Sequence, residues 1–293
     1  MLVALTFTFK TKRLYLTKDE SLFLIIIASL SSIYTEYSFV QYNQNVILLP
    51  FWLMSCYYFS LVLKNNHLKD WVLLSAVCSL AVYAKFEVGL LLIVLTIYML
   101  FNFKRKYLTK FIIAASLFVL FMVPLFIALF ENNFAPIRYA LDGNVNNTES
   151  TSIIYKILFA QFLNLSSLGY VAVPLLFTIV LMLKKRIYVV KCDSYINRLK
   201  HPLVVFGVYP LLIFIILPTF EVHLEYGWLL VILSMSIPGF YYLFNFKIKA
   251  TVFNNIVIYA LLIHALVFIV YNSFIYFGPT ITRRNYGNEV AID

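Results

Sequence analysis

Charged side chains are scarce in this chain of 293 residues, since Asp, Glu, Lys and Arg together make up only 12% of it. Hydrophobic residues make up 62%, and the mean hydropathy is +0.88. A soluble domain covers its surface with more polar side chains than this sequence offers, so the composition excludes that class. We therefore predict an all-α polytopic membrane protein with no sizeable soluble domain.

Cysteine is also rare, and its three positions exclude two further classes. Cys56 and Cys78 lie in apolar segments and Cys192 lies in a basic loop. This distribution predicts neither a disulfide framework nor a cysteine-based metal site. A secretory signal peptide is not expected either, because the apolar residues 1–9 precede the first basic residues, the reverse of the order in such a signal.

Acidic residues are few as well: 13 stand against 23 Lys and Arg, for a formal net charge of +10. Such a balance is typical of nucleic-acid-binding proteins. Here, however, the basic residues lie in short segments between apolar stretches, where charges that orient membrane helices are found. We therefore predict no nucleic-acid partner and assign most of the basic residues to the inner side of a membrane.

Apolar segments recur along the whole chain and predict about nine transmembrane helices. The candidate spans are residues 21–34, 46–63, 71–84, 88–103, 111–130, 166–183, 203–220, 228–246 and 252–277. Residues 1–9 are interpreted as the stub of a truncated helix, and residues 10–277 as one transmembrane domain. Residues 278–293 are interpreted as a short outer tail.

The segment 71–103 fits either one long tilted helix or two helices that form a hairpin, and charge favours the hairpin. With the N-terminus inside and about nine crossings, all but five of the 23 basic residues fall on the inner side, as the positive-inside rule requires. The five outer ones are Lys85, Arg138, Lys156, Arg283 and Arg284. The hairpin therefore places Lys85 and Glu87 at an outer bend before Gly89.

Lys85 is the clearest candidate for a functional residue, since it is a lone cation at the end of an apolar helix. A charge next to a membrane span is costly and for that reason often functional. Its ammonium group suits a lipid-linked phosphate at the outer leaflet. The structural alternative is that the side chain reaches the interface by snorkelling, and Glu87, two residues further on, is able to pair with it.

Polar residues just before the second candidate span form another candidate site. Gln44 and Asn45, together with Gln41 and Asn43, offer amide donors and acceptors for a sugar or a pyrophosphate. An ordinary turn before a helix has the same composition. Glu36, a few residues upstream, is a weak candidate for a general base, and as a loop carboxylate it needs no such role.

Two more outer segments contain residues of interest. Arg138 follows a candidate span and is suited to a bidentate contact with phosphate, although a surface arginine requires no ligand. Glu221, His223 and Glu225 alternate along one loop and are weak candidates for metal ligands. A metal site normally needs three or four ligands in a fitting geometry, so we expect neither a metal nor another cofactor.

Several stretches of the chain resemble one enzyme family. They are residues 42–52 (YNQNVILLPFW), Trp71, residues 84–86 (AKF) and residues 130–141 (FENNFAPIRYAL), with a looser match at Trp228. The family is the bacterial branch of dolichyl-phosphate-mannose protein mannosyltransferase-like enzymes, which belong to the GT-C superfamily of glycosyltransferases. The resemblance extends over roughly residues 10–245 and is most specific in residues 42–52.

This resemblance implies a GT-C-like enzyme of many helices in a bacterial inner membrane, surrounded by membrane lipids. Such an enzyme transfers a sugar from a polyprenyl-phosphate donor, on the non-cytoplasmic face, to a lipid, glycan or protein acceptor. Lys85 matches the family's lysine near the donor phosphate. The chain departs from the family pattern at Ser75 and Ser79, where glycines are usual, and at Phe86, where tyrosine is often found.

The resemblance also implies a missing part. The family's catalytic carboxylate lies in a first outer loop, which this chain is expected to lack, so the chain as written is expected to be inactive. Asp19 and Glu20 resemble the family's acidic pair. They follow a run of inner basic residues, however, which places them on the wrong face for that role.

Two other functions remain as alternatives on the sequence alone. A transporter or flippase of a lipid-linked sugar is expected to show paired halves with broken helices, and the sequence has no internal symmetry of that kind. The other alternative is a non-catalytic membrane subunit.

Overall fold

The computed structural model describes residues 2–31, 44–135, 138, 172–190, 194–216, 226–248 and 253–277. In chain order the helices are α1 Leu2–Arg13, α2 Lys18–Ser29, α3 Gln44–Asn65, α4 Leu68–Ala84, α5 Val88–Phe101, α6 Leu108–Glu131, α7 Ala172–Leu183, α8 Tyr195–Leu199, α9 Pro202–Gly207, α10 Tyr209–Ile216, α11 Tyr226–Leu243 and α12 Phe253–Phe277. A 3₁₀ turn, Arg105–Tyr107, precedes α6. The described part is helical apart from one small sheet, in agreement with the all-α prediction at this coarse level.

The ambiguous segment 71–103 forms two helices, α4 and α5, as the charge argument predicts. Helix α6 runs parallel to α4, because Ser75 Oγ donates to Ala114 O (2.8 Å) and Tyr83 OH donates to Phe121 O (2.9 Å). Helix α5 connects the end of α4 to the start of α6, so it runs back along the bundle. The hairpin is therefore confirmed.

Asn66 joins three helices at one end of this bundle. It follows α3 in a left-handed conformation (φ 52°) that asparagine adopts readily. Trp71 Nε1 donates to Asn66 Oδ1 (2.9 Å), and Asn66 Nδ2 donates to Lys106 O (3.2 Å). We call this the basic end, because it also contains a group of cationic residues: Lys64, Lys69, Lys104, Arg105, Lys106 and Lys110.

The opposite end of α3, α4 and α5 contains Lys85, and we call it the Lys85 end. The two ends separate the charges as the positive-inside argument requires, with the cluster of cations at one and Lys85 at the other. Which end faces the cytoplasm stays a prediction, and so does the total of about nine crossings. In the described ranges, two helices are long and apolar enough to span a membrane, Gln44–Asn65 and Arg105–Glu131.

Helices α9 and α11 cross at a contact between glycines. A Cβ atom on Gly207 would lie 2.0 Å from Met235 O, and one on Gly239 would lie 3.3 Å from Gly207 Cα. Ser236 Oγ donates to Gly207 O (2.8 Å) across this crossing. Small residues of this kind let helix backbones approach closely where lipid supplies no hydrophobic drive between helices.

Three features of the C-terminal half differ from the sequence prediction. The candidate span 203–220 divides into α9 and α10, because Pro210 lacks the N–H that a continuous helix would donate to Phe206 O. Residues 195–199 form the short helix α8 inside a predicted basic loop. Strands β1 Ile187–Val189 and β2 Phe246–Ile248 pair antiparallel, with Tyr188 opposite Lys247.

Candidate functional site

The bend between α4 and α5 positions Lys85. Helix α4 ends at Ala84, and Lys85 adopts an extended backbone (φ −167°, ψ 137°) while its N–H still donates to Ala81 O. The next helix begins at Val88 after a single turn, in which Gly89 N donates to Phe86 O (2.9 Å). The side chain of Lys85 therefore leaves the helix axis at the point where the chain reverses.

The side chains of Asn45 and Glu87 contact the Lys85 ammonium. Lys85 Nζ donates to Asn45 Oδ1 (2.9 Å), across 40 residues of sequence, and forms an ion pair with Glu87 Oε1. Only 16% of the Lys85 side chain and 9% of the Glu87 side chain are exposed. We call Lys85, Asn45 and Glu87 the Lys85 cluster. A charge this far from water requires compensation, and the carboxylate and amide supply it.

An anion that approached the Lys85 cluster would compete with Glu87 for the ammonium. A lysine ammonium has three donors and no acceptor, so an approaching phosphate either shares it with Asn45 and Glu87 or displaces the carboxylate. The sequence raised both phosphate binding and pairing with Glu87 as alternatives. The structure has the pairing with Glu87, and it places the Lys85 ammonium at the bend between α4 and α5.

The other candidate residues of this site are not all described. Gln44 is exposed at the first residue of α3, next to buried Asn45, and Arg138 is exposed beyond the end of α6. Glu36, Gln41, Asn43, Glu221, His223 and Glu225 lie outside the described residues. Within the described ranges no group of three His, Cys, Asp or Glu side chains is placed to hold a metal ion.

Ser75 and Ser79, which stand where the family has glycines, both act as donors inside the bundle. Ser75 Oγ binds Ala114 O on α6, and Ser79 Oγ donates to Ser75 O (2.9 Å) within α4. Both serines are buried. Ser75 thereby fixes α4 against α6, about three helical turns before Lys85, while the hydrogen bond of Ser79 lies within α4 itself.

Glu20 belongs to a second polar cluster, whose members lie too far apart in sequence for a local pattern to predict it. Its carboxylate completes a capping box with Thr17 at the start of α2 and binds Lys247 Nζ (2.8 Å) and Tyr241 OH (3.2 Å). Burial alone would raise the pKa of Glu20, but the hydrogen bonds from Lys247 and Thr17 outweigh it and lower that pKa. Structural contacts occupy this carboxylate; that it is not catalytic stays a prediction from the sequence.

His201 is the centre of an aromatic stack close to the start of α9. Its ring stacks on Tyr242 with centroids 3.6 Å apart, and Tyr15 packs edge-on at 4.7 Å. Its Nδ1 accepts from Leu203 N–H (3.3 Å) as the helix cap. Burial, with the nearby Arg198 charge, lowers the pKa of His201 to about 4. No sequence motif signals this stack, because its members come from three distant segments.

Comparison with known proteins gives a family match. Residues 1–130 match a family model described as dolichyl-phosphate-mannose-protein mannosyltransferase. No curated protein and no solved structure matches the chain. The match confirms the resemblance over these residues, which include the Lys85 cluster. Together with the two long apolar helices, it supports an integral membrane glycosyltransferase at the level of the family.

Proposed function

We propose that this chain is the donor-binding part of a membrane enzyme that transfers a sugar from a polyprenyl-phosphate donor to a lipid, glycan or protein acceptor on the non-cytoplasmic side of the membrane. The observation that carries the proposal is the Lys85 ammonium, held by Asn45 at a partly buried bend within the family-matched residues. A cation at a bend between apolar helices offers a lipid-linked phosphate a charge partner next to an apolar surface.

The chemistry that Lys85 supplies in this proposal is electrostatic. In the transfer, the bond between the sugar carbon and the phosphate oxygen breaks, and the polyprenyl phosphate leaves with the bonding electrons. A cation at that oxygen stabilises the charge that develops there. The acceptor hydroxyl attacks the sugar carbon and loses its proton to a base, for which Glu36 is the sequence candidate.

In this proposal, Glu87 lowers the affinity of the Lys85 cluster for phosphate. While it pairs with Lys85, it neutralises the cation and repels an incoming phosphate. Neutralising Glu87 should therefore strengthen phosphate binding, while neutralising Lys85 should weaken it. A purely structural ion pair has no reason to give opposite effects on a ligand, so the sign of each change separates the two interpretations.

The test is binding of fluorescent undecaprenyl phosphate to the chain in detergent micelles. We expect Lys85→Gln to weaken binding about 10- to 100-fold, since a charge-assisted contact contributes about 1.5–3 kcal/mol. Glu87→Gln should tighten binding several-fold. Lys69→Gln is the matched control, because Lys69 is an exposed lysine on the same helix α4 at the basic end, and it should leave affinity unchanged.

Transfer itself is measured in membranes of the native organism, using a labelled polyprenyl-phosphate sugar and wild-type or Lys85→Gln alleles. We expect the Lys85→Gln allele to abolish transfer to the membrane fraction while the protein remains present. Equal binding of undecaprenyl phosphate by the wild type, Lys85→Gln and Glu87→Gln would overturn the role of the Lys85 cluster. Unchanged transfer in the Lys85→Gln membranes would also count against Lys85, and unchanged transfer in membranes that lack the protein would overturn the proposed function.

A further inference from the structure

A groove of about 510 Å³ lies between α5 and the pair α9–α10. Its walls are mostly apolar and include Ile97, Phe101, Leu212 and Ile213. This volume lies within the range of about 300–1,000 Å³ that is usual for small-molecule sites. The groove begins beside the last turn of α5, at the basic end, and is thus remote from the Lys85 cluster.

The mouth of the groove is polar and cationic. Lys200, an exposed residue that ends α8, and Asn102, which ends α5, both line it. Tyr209 OH donates to Leu199 O (3.0 Å), which fixes the backbone that carries Lys200 against the start of α10. None of the described lining residues has a carboxylate, so the charge at the mouth favours an anion.

We propose that this groove binds one anionic phospholipid of the leaflet at the basic end. An acyl chain lies along the wall between Ile97 and Leu212, and the lipid phosphate lies at Lys200 and Asn102. A free phosphate ion would use the mouth and leave the apolar wall empty. A zwitterionic lipid would bring its own cation to Lys200, which the positive mouth disfavours.

The neighbouring charges support the same occupant. Lys104, Arg105 and Lys106 follow Asn102 after one intervening residue, Phe103, and basic residues next to a membrane attract anionic headgroups by about 1 kcal/mol each. The bound lipid would connect α5, which begins at the Lys85 bend, to α9 and α10. This site needs no sugar donor, so its test is independent of the proposed transfer activity.

The experiment measures phospholipids retained by the purified full chain in native mass spectrometry, after equilibration with equal amounts of phosphatidylglycerol and phosphatidylcholine. We expect the wild type to retain phosphatidylglycerol preferentially. Lys200→Gln should reduce that retention about fivefold. Lys184→Gln, an exposed lysine that does not line the groove, should have no effect.

A second pair of variants tests the apolar wall. Leu212→Trp fills the groove and should abolish the preferential retention, while Leu120→Trp, on an exposed site of α6, should not.

Two outcomes would overturn this proposal. An equal loss from Lys200→Gln and Lys184→Gln would mean that diffuse attraction, and not a site, retains the lipid. Displacement of phosphatidylglycerol by undecaprenyl phosphate in the wild type but not in Leu212→Trp would assign the groove to a polyprenyl lipid and overturn this occupant.

Discussion

The two ion pairs of the described structure differ in what they connect. Lys247 and Glu20 join segments 227 residues apart, and Tyr241 adds a hydrogen bond across 221 residues. Lys85 and Glu87 are two positions apart in one bend, with Asn45 as a third member. The first pair therefore holds distant parts of the fold together, while the second mainly neutralises a charge at a turn.

This difference indicates which pair is structural. Every oxygen contact described for Glu20 serves a helix cap or a tertiary connection, so removing its charge should cost stability. The Lys85 ion pair links two residues of one bend, and only the hydrogen bond to Asn45 connects it to another helix, so a smaller share of the fold depends on its charge. The comparison predicts stability defects near α2, α9 and α11 and binding defects at Lys85.

The largest expected effect is at the crossing of α9 and α11, the helices that position His201, Tyr241 and Tyr242. Gly207→Ala places a methyl group 2.0 Å from Met235 O, so the two helices must separate. We expect a loss of about 3 kcal/mol in the free energy of unfolding. Thermal unfolding in detergent, followed by circular dichroism, measures it.

Gly89→Ala is the matched control for this substitution. Nothing lies within 4 Å of a Cβ at Gly89, and alanine favours a helix over glycine by about 0.5–1 kcal/mol. We therefore expect no loss in the free energy of unfolding. We also expect no change in the contacts of the Lys85 cluster, although Gly89 is only two residues from Glu87. Equal defects from both substitutions would contradict the close crossing of α9 and α11.

A smaller effect is expected from Glu20→Gln. The amide keeps the shape but loses the charge that Lys247 and Tyr241 bind, and we expect a cost of about 1–3 kcal/mol at neutral pH. Because the pKa of folded Glu20 lies below its ordinary value of 4.5, its contribution is present above that pH and is lost as the pH falls through the lowered pKa.

The measurement is the melting temperature of the wild type and Glu20→Gln between pH 7 and pH 3. The difference between them should be constant at the upper end and shrink below about pH 4.5. Asp19→Asn is the control, since Asp19 is the exposed neighbour in the same helical turn. If Asp19→Asn reproduced the loss, a general charge effect at the start of α2 would replace the ion pair as the cause.

Much of the first half of the fold was predictable from the sequence, because long apolar runs between basic clusters fix helices α3 to α6. The meeting of Asn45 and Lys85 follows from the same reasoning. Once α3 and α4 are antiparallel, the start of one lies beside the end of the other. The family resemblance had named both residues, and the structure adds the hydrogen bond between them.

The second half was less predictable for a physical reason. Strands β1 and β2 have three residues each, too few for an alternating pattern to stand out from an apolar background. The Glu20–Lys247 pair depends on packing between segments at opposite ends of the described chain. Only the capping box of Thr17 and Glu20 was visible locally, as a threonine followed three residues later by a glutamate.

At neutral pH the smallest expected effect is at His201, whose substitution mainly changes the pH dependence of stability below that range. Burial holds its pKa near 4, below the ordinary 6.5, so the folded state binds its proton less readily than the unfolded chain. His201 therefore contributes fully above about pH 6.5, and stability falls as the pH drops from there to about 4. One proton taken up on unfolding gives a slope of up to about 1.4 kcal/mol per pH unit.

Two substitutions remove this titration, and each of them keeps one of the two kinds of contact that His201 makes. His201→Asn retains a side-chain acceptor for the cap of α9, and His201→Phe retains the stack between Tyr15 and Tyr242. Both should flatten the dependence of unfolding free energy on pH between 6.5 and 4, with stability at pH 7 lower by about 1 kcal/mol. Glu20→Gln should leave the slope between about pH 6.5 and pH 5 unchanged, since the pKa of folded Glu20 is held below its ordinary value of 4.5. A wild-type slope that persists in both His201 variants would assign the acid sensitivity elsewhere and remove His201 from the contacts that stabilise this end of the molecule.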